Sequence, residues 1–313
     1  ALSSTSGILV SLVSLFLGLS LGFGMPVCMS YFSDSVAVES RGRVSGATIL
    51  ASGIWIAAFG LVSESDLFFV GIILGIWRFS SLLVFLWAKD YRRIEREGNA
   101  SSYKQVFGQR SFVLYFVPWV MFSLVNYLAN PKMPSNIDYP GLGLVQTVFM
   151  GAAAVLGGIF ADSVGRKPIA IAGFALLGVG TAVLGLSGNS LLDIPPLVLY
   201  FNPVIDGIAE GFLLVLFVLT LWGDLSHSFS SDKYYALGVM PFFVSKLLEL
   251  TVGPYILDGT TSTTSLFSFA AFFLFLAVLP LFYAPETLPE KVRKERELKF
   301  YVEKAQEVAQ KYS

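Results

Sequence analysis

The chain has 313 residues, of which 55% are apolar, 15% aromatic and 14% charged, at a mean hydropathy of +0.70. A soluble domain carries roughly 25% charged residues, so this composition excludes an ordinary soluble fold and excludes low-complexity disorder. Lys and Arg number 21 against 22 Asp and Glu, a net charge of −1, which leaves no basic surface for nucleic acid.

Nine stretches are apolar and long enough to span a bilayer, which takes about 20 residues. In chain order they run from 7 to 31, 46 to 63, 67 to 88, 111 to 129, 142 to 161, 169 to 187, 197 to 222, 236 to 257 and 265 to 284. The first begins almost at Ala1 with no basic segment before it, so no signal peptide is read there, and the true start is expected upstream. Helices are predicted throughout, since a backbone in lipid satisfies its polar groups within its own segment. Strands of a barrel would alternate apolar and polar residues, whereas 267 to 282 is apolar on every face. The fold class is therefore an all-α membrane protein. Eighteen of the 21 cations fall in loops on one side of these spans, and Lys132 alone falls on the other. By the positive-inside rule the first set is cytoplasmic, so the chain begins outside and ends inside. Trp87 and Trp222 sit near cytoplasmic span ends, where an aromatic belt is expected. Beyond Pro289 apolar residues recur among mixed charges, predicting an amphipathic cytoplasmic helix.

Chemistry-bearing residues are few. One cysteine, Cys28, permits no internal disulfide, and one histidine, His227, leaves no His/Cys set for zinc, so no metal or cofactor is expected. Phosphate-binding loops of the G-x-x-x-x-G-K-S/T type, nucleophile elbows and H-E-x-x-H helices are all missing, which counts against an ATP-driven pump and a membrane enzyme.

An offset of 190 aligns Asp34 with Asp224 and Arg43 with Lys233, so the loops after the first and seventh spans read as copies. Repeated bundles rocking around a midplane site are a common transporter architecture. The run Gly158-Ile159-Phe160-Ala161-Asp162-Ser163-Val164-Gly165-Arg166-Lys167 resembles the G-x-x-x-D-x-x-G-R-R/K loop of the major facilitator superfamily. Glu39-Ser40-Arg41-Gly42-Arg43 resembles that family's loop between helices four and five, and Pro285-Glu286-Thr287 its sugar-porter ending. The resemblance implies nine transmembrane helices of a twelve-helix fold, helices 4 to 12, in two pseudo-symmetric bundles of which the N-terminal one is incomplete. It divides the chain into 1–88, the incomplete bundle; 89–110, a cytoplasmic connection; 111–284, a six-helix bundle; and 285–313, the tail.

On this resemblance the protein is expected to be a secondary transporter in the plasma membrane, monomeric when full length. It would move a small polar or organic solute, with a leaning towards sugars, by alternating access coupled to protons. A related membrane sensor or non-transporting scaffold is the alternative. The loop would latch the halves on the cytoplasmic face, with Gly158, Gly165 and Lys167 shaping its turn. Asp162 would approach the start of helix five, in the N-terminal bundle near Gly46, and Arg166 would pair with Asp224; Asp34, Arg41 and Arg43 belong to the same set, with Asp34 expected to be orphaned. The same charges would serve equally to set topology and cap a turn.

Ionisable residues inside spans cost about 2.5 to 3.5 kcal/mol each at mid-span and are functional candidates by default. Asp206 and Glu210, four apart, share a helix face, with Gly207 and Gly211 on the adjoining one; Lys246 and Glu249 are three apart on another span. At 1.5 Å per residue Asp206 and Lys246 both lie about 14 to 15 Å from a span end. A Lys246 pair with Asp206 or Glu210 is expected, leaving one carboxyl for a proton or cationic group; a permanent ion-pair cluster is the other reading. Asn202, Asn126 and Gln146 are candidate polar contacts. Arg78 is expected to pair outside this chain. Gly18-x-x-x-Gly22 and Gly71-x-x-x-Gly75 are expected to mark close helix approach.

Overall fold

The computed structural model describes residues 2–63, scattered positions between 72 and 83, and residues 102–129, 142–187, 196–226, 231–253 and 263–289. Arg78, Trp87, Lys132, His227, Gly71, most of the expected span 67 to 88 and the tail after residue 289 lie outside that set. Among the described residues every regular element is helical. In order these are α1 (Leu2–Ser35), a 3₁₀ turn (Val38–Ser40), α2 (Arg41–Ser63), α3 (Tyr103–Gly108), α4 (Arg110–Ala129), α5 (Leu142–Ser163), α6 (Arg166–Ser187), α7 (Pro196–Leu214), a π-helical stretch (Val215–Thr220), α8 (Leu221–Leu225), α9 (Ser231–Thr251) and α10 (Thr263–Tyr283). Long helices thus stand at eight of the nine expected stretches. Over their described residues, five are long and apolar enough to cross a membrane: Leu15–Ser35, Gly143–Ser163, Arg166–Leu186, Phe201–Leu225 and Ser265–Tyr283. Arg110–Asn126 is a shorter apolar helix.

Helix boundaries follow local chemistry. Ser102 and Gln105 form a capping box at the start of α3, with Gln105 accepting the Ser102 N–H at 2.7 Å. The α5–α6 turn depends on Gly165, the one described residue with positive φ, at +128°. A residue with Cβ is strained there, and the space is already taken: a Cβ on Gly165 would lie 2.5 Å from Glu286 Oε2.

The long helices pack in sequence around one core. α5 lies on α7, α7 on α6, α6 on α10, α10 on α4 and α4 on α9, while α1 docks on α9 and α2 on α5. The core is aromatic near the π-helical stretch: Trp119 stacks between Phe122 and Phe217 at centroid distances of 5.1 and 5.0 Å, and Phe174 meets Phe217 edge-on. Helix contacts of this closeness need small residues. The α2–α5 seam is the tightest, since Gly42 and Gly158 put backbone on backbone and Gly46 sits on the Ala154 carbonyl. On the opposite side of α5, Gly207 and Gly211 of α7 lie on the carbonyls of Gln146 and Met150.

Three sequence expectations change here. Trp222 is fully buried, its indole N–H donating to Phe217 O at 2.5 Å, so it belongs to the core and not to an interfacial belt. Gly18 and Gly22 have open space where a Cβ would point, as does Gly75, so among the described residues no helix comes close at those positions. Finally, α7 does not continue as plain α-helix: Val215–Thr220 is π-helical. Its displaced carbonyls are taken by side chains, Val215 O by Thr220 Oγ1 (2.7 Å), Phe217 O by Trp222 and Leu219 O by the Tyr235 hydroxyl (2.5 Å).

Adding a methyl group at the α2–α5 seam should therefore be costly. Gly158→Ala is expected to lower the thermal unfolding midpoint in detergent, by the equivalent of about 1–3 kcal/mol of overpacking. Gly22→Ala, with open space around it, should leave the midpoint unchanged or raise it slightly. Tryptophan fluorescence during a temperature scan of both variants checks the contrast.

Candidate functional site

Two constellations of polar side chains interrupt the apolar interior. The first is a knot of charges where α1, α2, α5, α6, α8 and the chain after α10 converge. Asp224, on α8, is the centre: it accepts from Arg41 Nη1 on one oxygen and from Arg166 Nε at 3.0 Å on the other, and the Thr287 hydroxyl reaches it at 3.4 Å. Both arginines are buried, and both also hold backbone carbonyls. Arg41 Nη2 donates to Ser33 O (2.6 Å), while Arg166 donates to Ala161 O (2.6 Å) and Val38 O (2.7 Å). Asp162, also buried, accepts from the N–H groups of Gly42 and Arg43 at 2.8 Å each, and from Arg43 Nε at 3.3 Å. It sits 3.1 Å from Arg166 as well. An anion is thereby placed on the first turn of α2, where unpaired N–H groups and the helix dipole favour it; Gly46 follows one turn later.

Glu286 does the same for α6. Its carboxylate accepts the N–H groups of Arg166 (2.8 Å), Lys167 (3.1 Å) and Leu288 (3.0 Å), and Lys167 Nζ donates to Phe282 O at 2.8 Å. The sequence singled out Pro285-Glu286-Thr287 as a motif but assigned Glu286 no task; its spacing gives no hint of which helix end it covers. Arg41 was grouped with these residues without a partner, and its partner is Asp224. Asp34 is not orphaned: the Ser231 hydroxyl donates to it at 3.2 Å, and Ser231 also meets Ser30 at 2.6 Å. Ser231 reaches Asp34 because α1 and α9 pack directly.

The second constellation lies midway along α7. Asn202 Nδ2 donates to Asp206 Oδ2 at 2.8 Å, and Gln146 Nε2, from α5, donates to Glu210 Oε2 at 3.0 Å. Asp206 is only 9% exposed, and its Oδ1, like Asn202 Oδ1, is buried without a hydrogen-bond partner. Lys246 does not join them. It pairs with Glu249 at 2.6 Å one turn along its own helix, with its side chain 49% exposed. The i, i+3 partner is always within reach, whereas reaching α7 would require α9 to turn Lys246 inward, and Ser245 is the buried residue there. Among the described residues neither Asp206 nor Glu210 forms an ion pair.

Two cavities open beside these acids. One of about 100 Å³ is bordered by Asp206, Glu210, Gln146, Asn126 and Thr181; the other, of about 310 Å³, is bordered by Glu210 and Asn126 together with apolar side chains of α1, α2, α4, α7 and α9. Asn126 and Glu210 therefore belong to both walls. Asn202 is buried behind Asp206 and borders neither.

No family model matches the chain, and no curated protein matches it in sequence. Solved structures do. The chain is similar to "the MFS (major facilitator superfamily) proton:xylose symporter XylE bound to 6-bromo-6-deoxy-D-glucose", with a TM-score of 0.59 and 15% identity over 83% of this chain and 67% of that one. At that identity the likeness is one of fold: the helical arrangement here is similar to that of the symporter, which agrees with the sequence resemblance.

The charge knot makes a stability prediction. Asp224→Asn would leave Arg41 and Arg166 buried around a neutral side chain and is expected to destabilise the protein by about 3–5 kcal/mol, the usual cost of stranding a buried charge. Arg43→Ala removes a side chain that is 55% exposed and should cost about 1 kcal/mol or less. Denaturant unfolding in mixed micelles distinguishes the two.

Proposed function

We propose that the protein is a secondary active transporter that carries a small organic solute by alternating access, coupled to protons through Asp206 and Glu210. In this reading its spans are helices 4 to 12 of the twelve-helix fold, with 1–88 in one bundle, 111–284 in the other, and 89–110 and 285–313 as cytoplasmic connection and tail. The protein sits in the plasma membrane, its C-terminus inside, and works as a monomer when full length.

One observation carries the proposal: two acids stand midway along a membrane-length helix, without a cationic partner among the described residues, beside cavities a solute can enter. Isolated charge at that depth is expensive, so evolution retains it where a proton or a charged ligand answers it. The likeness to a proton:xylose symporter supports the same reading. The knot around Asp224 takes the role of a cytoplasmic latch. It ties α1 and α2 to the α5–α6 turn through two buried arginines, and these contacts would have to break together for the bundles to part on that side.

The mechanism follows from what the residues hold. With the latch closed, the bundles are tied together on the knot side. A proton on one of the acids removes a charge that the apolar wall does not solvate, which lets the bundles rock; release of the proton on the other side restores it.

Proteoliposomes containing the full chain should accumulate a transported solute only when a pH gradient is imposed. Asp206→Asn should abolish accumulation. Accumulation equal to wild type in Asp206→Asn and in Glu210→Gln would refute coupling through these acids. Absence of flux for every solute, with ligand binding retained, would mark a sensor.

A further inference from the structure

The geometry points to an organic cation as the solute: a single ammonium or guanidinium head held between Asp206 and Glu210, and an apolar, ring-sized body in the larger cavity. This rests on the transporter reading above and names its substrate class.

Few hydrogen-bonding groups are available around the larger cavity. At about 310 Å³ the larger cavity falls at the small end of the range for ligand pockets. Its walls include Met25, Met29, Ile49, Trp119, Phe122 and Val218, and among the described residues that line it the polar side chains besides the Trp119 indole are Ser123, Asn126 and Glu210. Two of those polar groups are already engaged, since Trp119 Nε1 donates to Gly238 O (2.7 Å) and Ser123 Oγ to Trp119 O (2.9 Å). Asn126 and Glu210 are what is left. A sugar brings a hydroxyl on nearly every carbon, and each one buried without a partner weakens binding. This wall cannot answer them. An apolar body loses nothing there and gains from leaving water.

The smaller cavity has the opposite character. Of its polar groups, Thr181 Oγ1 donates to Leu177 O at 2.8 Å and Gln146 Nε2 is held by Glu210. Among the described residues the groups left facing it are the neutral Asn126 amide and two carboxyls: Asp206, whose Oδ1 is buried and unpartnered, and Glu210, which gives only Oε2 to Gln146. A volume of about 100 Å³ admits a compact donor head and little more. Because Glu210 and Asn126 border both spaces, one molecule reaches both, head towards Asp206 and body among the Met and Phe side chains. An anion of the same shape would meet two carboxyls, and a neutral isostere would forgo the charge-assisted bonds.

The test uses four probes of matched size on the full chain in nanodiscs, by equilibrium dialysis: 2-phenylethylammonium, 2-phenylethanol, phenylacetate and xylose. The ammonium is expected to bind at least tenfold more tightly than the alcohol, with phenylacetate and xylose weaker still, and Glu210→Gln should weaken ammonium binding at least tenfold. The comparison among ligands needs no variant, so it stands even if Glu210→Gln folds poorly. Equal binding of ammonium and alcohol, preference for xylose, or no binding of any of the four overturns the inference. Gradient-driven xylose uptake without ammonium binding overturns the substrate class and leaves the transporter reading standing. Ammonium binding without flux of any probe keeps the site chemistry and removes the transporter reading instead.

Discussion

A carboxylate buried between two buried guanidinium groups organises this molecule. Asp224 neutralises Arg41 and Arg166, and each arginine in turn pins a carbonyl, Ser33 in the last turn of α1 for one and Val38 in the turn joining α1 to α2 for the other. Such clusters add little net stability compared with apolar packing of similar volume, because desolvating the charges offsets most of their attraction. What they add is geometric selectivity: the charges are satisfied only when every helix end is in register. Asp162 on the first turn of α2 and Glu286 on the first turn of α6 extend the same logic, each anion answering the N–H groups that a helix start leaves open. The end of the bundle that carries the knot is therefore tied by directional bonds, while the rest of it is held by close, non-directional apolar contact.

That division of labour suits the proposed alternating access, in which the halves separate and rejoin. Along the α2–α5 seam, glycines bring backbone to backbone with no side chains interlocked between Gly42 and Gly158. A seam of that kind slides with little repacking. The π-helical stretch at Val215–Thr220 lies between the acids of α7 and the knot at α8, so the two polar centres share one helix whose hydrogen-bond ladder is already offset and held by Thr220, Trp222 and Tyr235. In the proposed mechanism that stretch is the path by which protonation at Asp206 or Glu210 would reach the knot at Asp224.

Much of this was legible in the sequence, and the exceptions have a common cause. Hydropathy located the helices because a span must be apolar over its whole length. The Gly158 to Lys167 run located the turn because Gly165 needs positive φ there and Asp162 needs a helix start to face. What could not be read was rotation about a helix axis. Depth alone allowed Lys246 to reach Asp206; the structure turns it the other way and gives it Glu249. Trp222 lies at the depth of a belt residue and faces the core. Gly18 and Gly22 have helix-dimer spacing, but their face meets no described helix. Arg41 and Glu286 were visible as charges near the motif, yet their partners are set by tertiary placement of segments far apart in the chain. The π-helical stretch left no sequence signal, since any apolar run is compatible with either ladder.

The central claim is that the knot at Asp224 is a latch with a closed and an open state, not a permanent rivet. Spin labels at Ala37→Cys and Val164→Cys, both exposed positions flanking the knot, in a Cys28→Ser background, measure this directly by double electron–electron resonance in nanodiscs. The account predicts two distances, a short one matching the closed arrangement and a longer one, with Asp224→Asn shifting the population to the longer. A single short distance under all conditions of pH and solute, unchanged by Asp224→Asn, would contradict it.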